Sequence, residues 1–212
     1  MTGKKRIVKD KETREQEILA VAREVFRKKG YTDATIEEIA QQANIAPGTI
    51  YRYFDNKDDL YTSLSTQAVL VFGELLLQIE SEIDQKKIVR GHDIIMKLLD
   101  VFYRNYLRDP NDAFTYASIQ SGFFSKVSPR NMEKFNQNGR FNFVIIRRII
   151  AKGKEQGLIK PHVNEIVLAD ALWSTFLGLV IHEEAKKRVT GKDHVYPMLT
   201  DTFSLFADAV SI

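Results

Sequence analysis

Apolar residues recur at spacings of three and four along nearly all of this 212-residue chain, and the alternation that builds strands is scarce. A period near 3.6 aligns side chains along one face of a helix, and that face has to be buried against another helix. The sequence therefore predicts an all-α protein. Helices are expected at about 13–29, 35–42, 47–54 and 56–81, then 90–108, 112–125, 129–156, 163–189 and 194–211. Asp109-Pro110, Ser128-Pro129, Gly157 to Pro161 and Thr190-Gly191 punctuate the later ones.

Composition narrows the class. Hydrophobic residues at 44% and charged residues at 28% are those of an ordinary globular chain with a sizeable core. Cysteine is absent, which excludes disulfides, thiolate zinc sites and cysteine nucleophiles, and no cofactor or metal site is expected. The basic start, Met1 to Lys11, lacks the apolar core of a secretory signal, and no run reaches the roughly 20 apolar residues of a membrane span. A cytoplasmic protein with no membrane partner is the expectation. The net charge of +3 is too small to attract nucleic acid in bulk, so any such contact must come from local placement.

Local signals punctuate the first 60 residues. Lys28, Lys29 and Gly30 close the first helix, with Gly30 expected at positive φ. Thr35-Ile36-Glu37-Glu38 has capping-box spacing, Asn44 suits a left-handed turn residue, and Pro47 restarts the chain at a first helical position. Asn56 reads as the cap of a long helix with Asp58 and Asp59 in its first turn. Two short helices joined by a three-residue turn and backed by a longer one form the arrangement that delivers a recognition helix to the DNA major groove. Thr49, Tyr51, Tyr53 and Lys57 supply the hydrogen-bonding groups that hold phosphates, while Ile50 and Phe54 fall on the opposite face, to pack against Ile39, Ala43 and Ile45.

The run Gly30-Tyr31, Thr35 to Ala40, Ala43 to Phe54 and Asn56 to Leu60 resembles the DNA-binding domain of the TetR family of regulators, over about residues 13–60. The resemblance implies a ligand-responsive regulator, a repressor, that binds a palindromic operator as a homodimer. It implies that Thr35, Thr49, Tyr51, Tyr53 and Lys57 hold phosphates and that Pro47, Gly48, Tyr51 and Arg52 face base edges. Arg52 alone of these offers a bidentate guanine contact, worth about 1–3 kcal/mol of discrimination. Two residues depart from the family pattern. Ala46 stands where a capping Ser is common, and Asn44 where Gly is common. Residues 1–12 form a basic arm, expected to be mobile and either solvated or inserted in the minor groove. Residues 1–63 carry twelve Lys or Arg against eleven Asp or Glu, so DNA binding would need a basic edge facing the duplex.

Residues 61–212 are expected to form a sensing and dimerisation domain, linked to the first by a helix at 57–81. Aromatics gather there, and Phe102, Tyr103, Tyr106, Phe123, Phe124, Trp173 and Phe176 are the candidates to line an apolar pocket, with helix-packing core as the plainer alternative. Arg104, Arg108, Lys126 and Arg130 outnumber the acids near 101–131, which favours a hydrophobic or anionic small molecule, such as an acyl thioester, over a cation. Ile166, Ala169, Leu172 or Trp173, Phe176 and Val180 form one stripe, and Leu199, Phe203, Phe206 and Val210 a second. The resemblance implies that the last two helices of each subunit pair in the dimer, with Gly178, Ala169 and Ala171 permitting close approach; closure of a monomeric core is the other use for these stripes. His92, His162, His182 and His194 are scattered, no metal-binding or nucleophile motif is present, and an enzyme is not expected. A DNA-binding adaptor whose C-terminal domain holds a protein partner is the alternative function.

Overall fold

The computed structural model describes residues 2–108 and 126–212, with side chains from residue 13 onward in the first stretch. Among the described residues there are eight helices: α1 Thr2–Asp33, α2 Ile36–Gln42, α3 Pro47–Ile50, α4 Lys57–Asp84, α5 Gly91–Arg108, α6 Pro129–Glu155, α7 Glu165–Thr190 and α8 Val195–Val210. The chain is all-α as the periodicity predicts. Phe123, Phe124 and most of the helix expected at 112–125 lie outside the described residues.

The chain divides into two units. The first holds residues 2–67 and, of the later described residues, 126–135; the second holds 68–108 and 136–212. In the first, α2 packs on α1 and α3. The apolar face predicted for α1 is buried, with Ile18, Ala22, Val25 and Phe26 each about 1% exposed or less. The helical path of α1 breaks at Gly30, which has φ 74° and ψ 174°. The positive φ is as predicted, but this ψ lies beyond the left-handed helical region, in backbone space that is essentially glycine's alone. At its other end α1 starts at Thr2, so the backbone of residues 2–12 is helical.

Thr35 caps α2 as expected, its Oγ1 accepting from Glu38 N at 3.2 Å. The reciprocal half of the capping box is missing, because the Glu38 carboxylate pairs with Lys29 at 2.5 Å. Asn44 has φ 54°, the left-handed turn residue that the sequence predicts. The recognition segment is shorter as a helix than expected. It makes one α-turn, Pro47–Ile50, and then tightens into turns, with Tyr53 N donating to Ile50 O at 2.9 Å. Ala46 has the extended backbone of an N-cap and no side chain to cap with.

In the second unit, α5 packs most extensively on α8, and α7 also packs on α8. Leu76, Ile83, Ile94, Leu98, Phe102, Ile145, Ile149, Leu172 and Leu199 form the middle of its core, each fully buried. Ala169, Leu172, Phe176 and Val180 on α7, and Leu199 and Phe203 on α8, belong to this core, while Ile166 is exposed. The residues foreseen as stripes for pairing between subunits are thus mostly consumed inside the chain. Residues 158–160 close against the chain end through an antiparallel bridge of Ile159 with Ser211, with Lys160 N donating to Val210 O at 2.9 Å and Ile212 N to Leu158 O at 3.2 Å. Gly91 sits beneath this closure, where a Cβ would stand 2.1 Å from Leu158 O.

By length and composition α4 and α7 are long and apolar enough to cross a membrane. Neither holds a continuous apolar run of that length, because polar residues such as Ser and Thr are interspersed. The most apolar stretch of α4 is 50% buried and that of α7 28% buried, so α7 carries apolar surface that the described residues do not cover.

Candidate DNA-binding site

Ile50 and Phe54 are 0% and 2% exposed and Ile39 is fully buried, which anchors one side of the recognition segment in the first unit's core. Ala43 and Ile45 are half-buried alongside. Anchoring that side turns the other outward: Pro47, Gly48, Tyr51 and Arg52 are exposed, and Thr49 and Tyr53 are half-exposed. Thr35 is exposed at the start of α2. Its lone pair is engaged by Glu38 N, which leaves the hydroxyl proton free to donate outward.

Lys57 is placed differently from its neighbours. Its ammonium donates to the carbonyls of Tyr31 at 2.8 Å, Thr32 at 3.3 Å and Ala34 at 3.0 Å, and lies 4.4 Å from the centroid of the Tyr31 ring. All three of its donors are directed at the connection between α1 and α2, immediately before Thr35. The Tyr31 hydroxyl donates to Asp58, and its ring stacks on Phe26 and meets Tyr61 edge-on. Burial, followed by the bond to Asp58, pushes the Tyr31 hydroxyl pKa upward. Sequence spacing gave no sign of this knot, because its partners are 23 to 27 residues apart.

The start of α4 follows the predicted cap, with Asp59 N donating to Asn56 Oδ1 at 3.0 Å. Asp59 also does something local pattern could not indicate. It is 2% exposed and accepts from Ser128 N at 2.7 Å, while Asn56 Nδ2 donates to Lys126 O at 2.8 Å.

The aromatic residues nominated for a ligand separate into two groups in the second unit. Phe102 is fully buried, with ring centroids 5.2 Å from Trp173, 5.5 Å from Phe176, 5.5 Å from Phe72 and 6.2 Å from Phe203. Phe143 joins the group edge-on to Trp173. Tyr103 and Tyr106 form the second group. Tyr103 lies 4.6 Å from Tyr196, and the Tyr106 hydroxyl donates to Glu184 at 2.6 Å. Burial and then that bond raise the Tyr106 pKa. Ser204 Oγ lies 3.5 Å from His92 Nε2, while Asp93 accepts from Arg90 Nε and Nη2 and stands 3.9 Å from His92 Nδ1.

An exposed recognition face carried on a buried helix pair, with an exposed threonine capping the preceding helix, defines a helix-turn-helix DNA-binding protein. Residues 18–64 match the family model of bacterial regulatory proteins of the tetR family, so that stretch is a TetR-family DNA-binding domain. It is 35% identical over 79 residues to the fatty acid metabolism regulator protein of Bacillus subtilis, an alignment covering 37% of this chain and only 39% of that relative. Two solved structures share the fold. The transcriptional regulator FadR from Bacillus subtilis in complex with stearoyl-CoA has a TM-score of 0.61 at 22% identity, covering 91% of this chain and 96% of that one. SmeT, the repressor of the Stenotrophomonas maltophilia multidrug efflux pump SmeDEF, has a TM-score of 0.66 at 17% identity, covering 93% and 90%.

Proposed function

We propose that this protein is a transcriptional repressor that binds a palindromic operator as a homodimer and is released by a hydrophobic or anionic effector such as an acyl thioester. The observation that carries the reading is the polarity of the recognition segment, with Ile50 and Phe54 buried beneath exposed Pro47, Gly48, Tyr51 and Arg52. Thr35, Thr49, Tyr51 and Tyr53 hold phosphates on either side of the groove, and Arg52 reads a base. Lys57 joins them by exchanging one of its three carbonyls for a phosphate oxygen.

Pairing falls on the outward face of the last two helices. Val167, Ser174, Gly178, Ile181 and Ala185 share one side of α7 at spacings of three, four and seven, and all are exposed. A Cβ at Gly178 would meet nothing within 4 Å, so a second helix has room there. Met198, Leu205 and Ala209 form the matching exposed side of α8, with Leu205 70% exposed. An apolar face of this kind on a soluble chain is ordinarily covered by a partner. A two-fold protein then matches a two-fold operator.

The cluster of Phe72, Phe102, Phe143, Trp173 and Phe176 supports an apolar effector site, and FadR with its stearoyl-CoA supplies the chemistry to test first. The experiment selects duplexes from random DNA with the full chain, measures operator affinity, and titrates stearoyl-CoA. Selection of a palindrome, and its release by the thioester, are the expected results. Ile181→Glu with Leu205→Glu should give a monomer with weakened operator binding. A protein that selects no duplex refutes the reading, and one that binds DNA but keeps it under every acyl thioester refutes the effector.

A further inference from the structure

Lys57 is followed directly by Asp58 and Asp59, yet its ammonium donates to three neutral carbonyls, those of Tyr31, Thr32 and Ala34. Both carboxylates are engaged elsewhere. The Tyr31 hydroxyl donates to Asp58, and Ser128 N donates to Asp59 at 2.7 Å. The charge of Lys57 is therefore fixed in place without being cancelled by an anion. In that condition it keeps its attraction for an incoming phosphate, and much of the entropy of ordering its flexible stem has already been lost on folding.

Tyr31 holds this arrangement at three points. Its carbonyl accepts from the ammonium at 2.8 Å, its ring centroid lies 4.4 Å from the same nitrogen, and its hydroxyl occupies the neighbouring carboxylate. The ring is itself anchored. Its centroid lies 6.2 Å from that of Phe26 in a stacked pair and 5.1 Å from that of Tyr61, and both partners are buried. The ammonium is tied to Thr35 as well. A trans peptide is planar with its C=O and N–H opposed, so Lys57 on the Ala34 carbonyl turns the Thr35 amide away from itself.

We propose that Tyr31 is a positioning residue for operator binding, presenting Lys57 to a DNA phosphate already in place, without touching the duplex itself. This rests on the reading that the first unit, the DNA-binding head, meets phosphate through Lys57. On binding, the ammonium keeps the Tyr31 ring and gives up one carbonyl for the phosphate oxygen. An aromatic face attracts a cation without a directed hydrogen bond, so it holds the ammonium while its N–H groups change partners. An aliphatic side chain at this position fills the space but leaves the lysine to be ordered when DNA arrives. Ordering one such side chain costs about threefold to tenfold in affinity.

The test is a double-mutant cycle on the full chain, read as affinity for a duplex that it has itself selected, with folding of each variant checked by thermal unfolding. Tyr31→Leu should bind about fivefold more weakly than the natural sequence. In a Lys57→Met background the same change should cost less than about twofold, because no ammonium remains to be positioned. Lys57→Met alone should lower the slope of log affinity against log salt by about 0.9, the share of one phosphate. Tyr31→Phe keeps ring and carbonyl and should stay within about twofold of the natural sequence. A trifluorinated phenylalanine at position 31 keeps the shape but removes most of the negative charge of the ring face, and should bind as weakly as Tyr31→Leu. If the leucine variant does not fold, the two phenylalanines carry the test in both backgrounds. An equal cost in both backgrounds is what general loosening of the head would give, and overturns the proposal. So does a Tyr31→Leu that binds as tightly as the natural sequence, or a Tyr31→Phe that falls to the leucine level. An unchanged salt slope in Lys57→Met means that Lys57 meets no phosphate, and the proposal falls while DNA binding stands. If the natural chain selects no duplex, the DNA-binding reading falls and this inference with it.

Discussion

The DNA-binding head and the helical body use apolar stripes in opposite ways. In the head, the residues nominated for function stand on the surface, and the apolar residues between them, Ile50 and Phe54, are buried beneath. In the body, residues nominated for ligand and partner are themselves core: Phe102 and Phe176 are buried, as are Leu199 and Phe203. The head's task is assigned by what remains after its stripe is buried. In the body the stripe says only that something must cover it, and here the same chain does so.

Substitution can break or sharpen this contrast. The largest expected effect is in the body, where Phe102→Ala should cost about 3–5 kcal/mol, read by urea or thermal unfolding. A loss much below this would mean that the aromatic cluster already encloses space, and would favour a ligand cavity over packed core. Next is the glycine-only backbone conformation at Gly30 in the head. Gly30→Ala meets no atom within 4 Å, yet must adopt φ 74° with ψ 174°, so it should lose about 1–3 kcal/mol through strain alone. An unchanged midpoint would show that the break between α1 and α2 relaxes freely.

A gain is expected at Ala46, whose backbone is already extended as a helix cap requires. Ala46→Ser should stabilise by about 1 kcal/mol, measurable as a raised unfolding midpoint. The smallest effect on stability belongs to Arg52→Ala, within about 0.5 kcal/mol for an exposed side chain free of packing duties. The same change should relax preference at one base pair in a selection experiment. If Arg52→Ala unfolds the protein or leaves the selected sequence unchanged, the division between an exposed reading face and a buried support is wrong.

How much of this was legible depended on the distance between partners in sequence. Asn44 at positive φ, Thr35 as a cap and Asn56 at the head of α4 are decided within three or four residues, and the pattern named them. Lys57 was foreseen as a phosphate ligand, but its three carbonyl partners lie 23 to 26 residues back, where no local rule reaches. Asp59 was read as a favourable charge for its own helix, and its partner Ser128 is 69 residues away. For α7 the periodicity was visible, but not which face would be taken up within the chain. Val167 and Ile181 were passed over because a helix with apolar residues on two sides offers two stripes, and period alone does not rank them.

The bridge of Ile159 with Ser211 bears on the order in which the molecule is made. Residues 210–212 hydrogen-bond to residues 158–160, and Gly91 fits against the same closure. The body therefore cannot finish folding until residue 212 has emerged from the ribosome. Residues 2–67 and 126–135, the described part of the first unit, emerge earlier, and domains fold N-terminal first during synthesis. A growing chain thus passes through a stage in which the recognition segment is formed and the α7 and α8 faces are not. A stall or truncation before residue 210 would leave an apolar, unfinished body attached to a completed reading head.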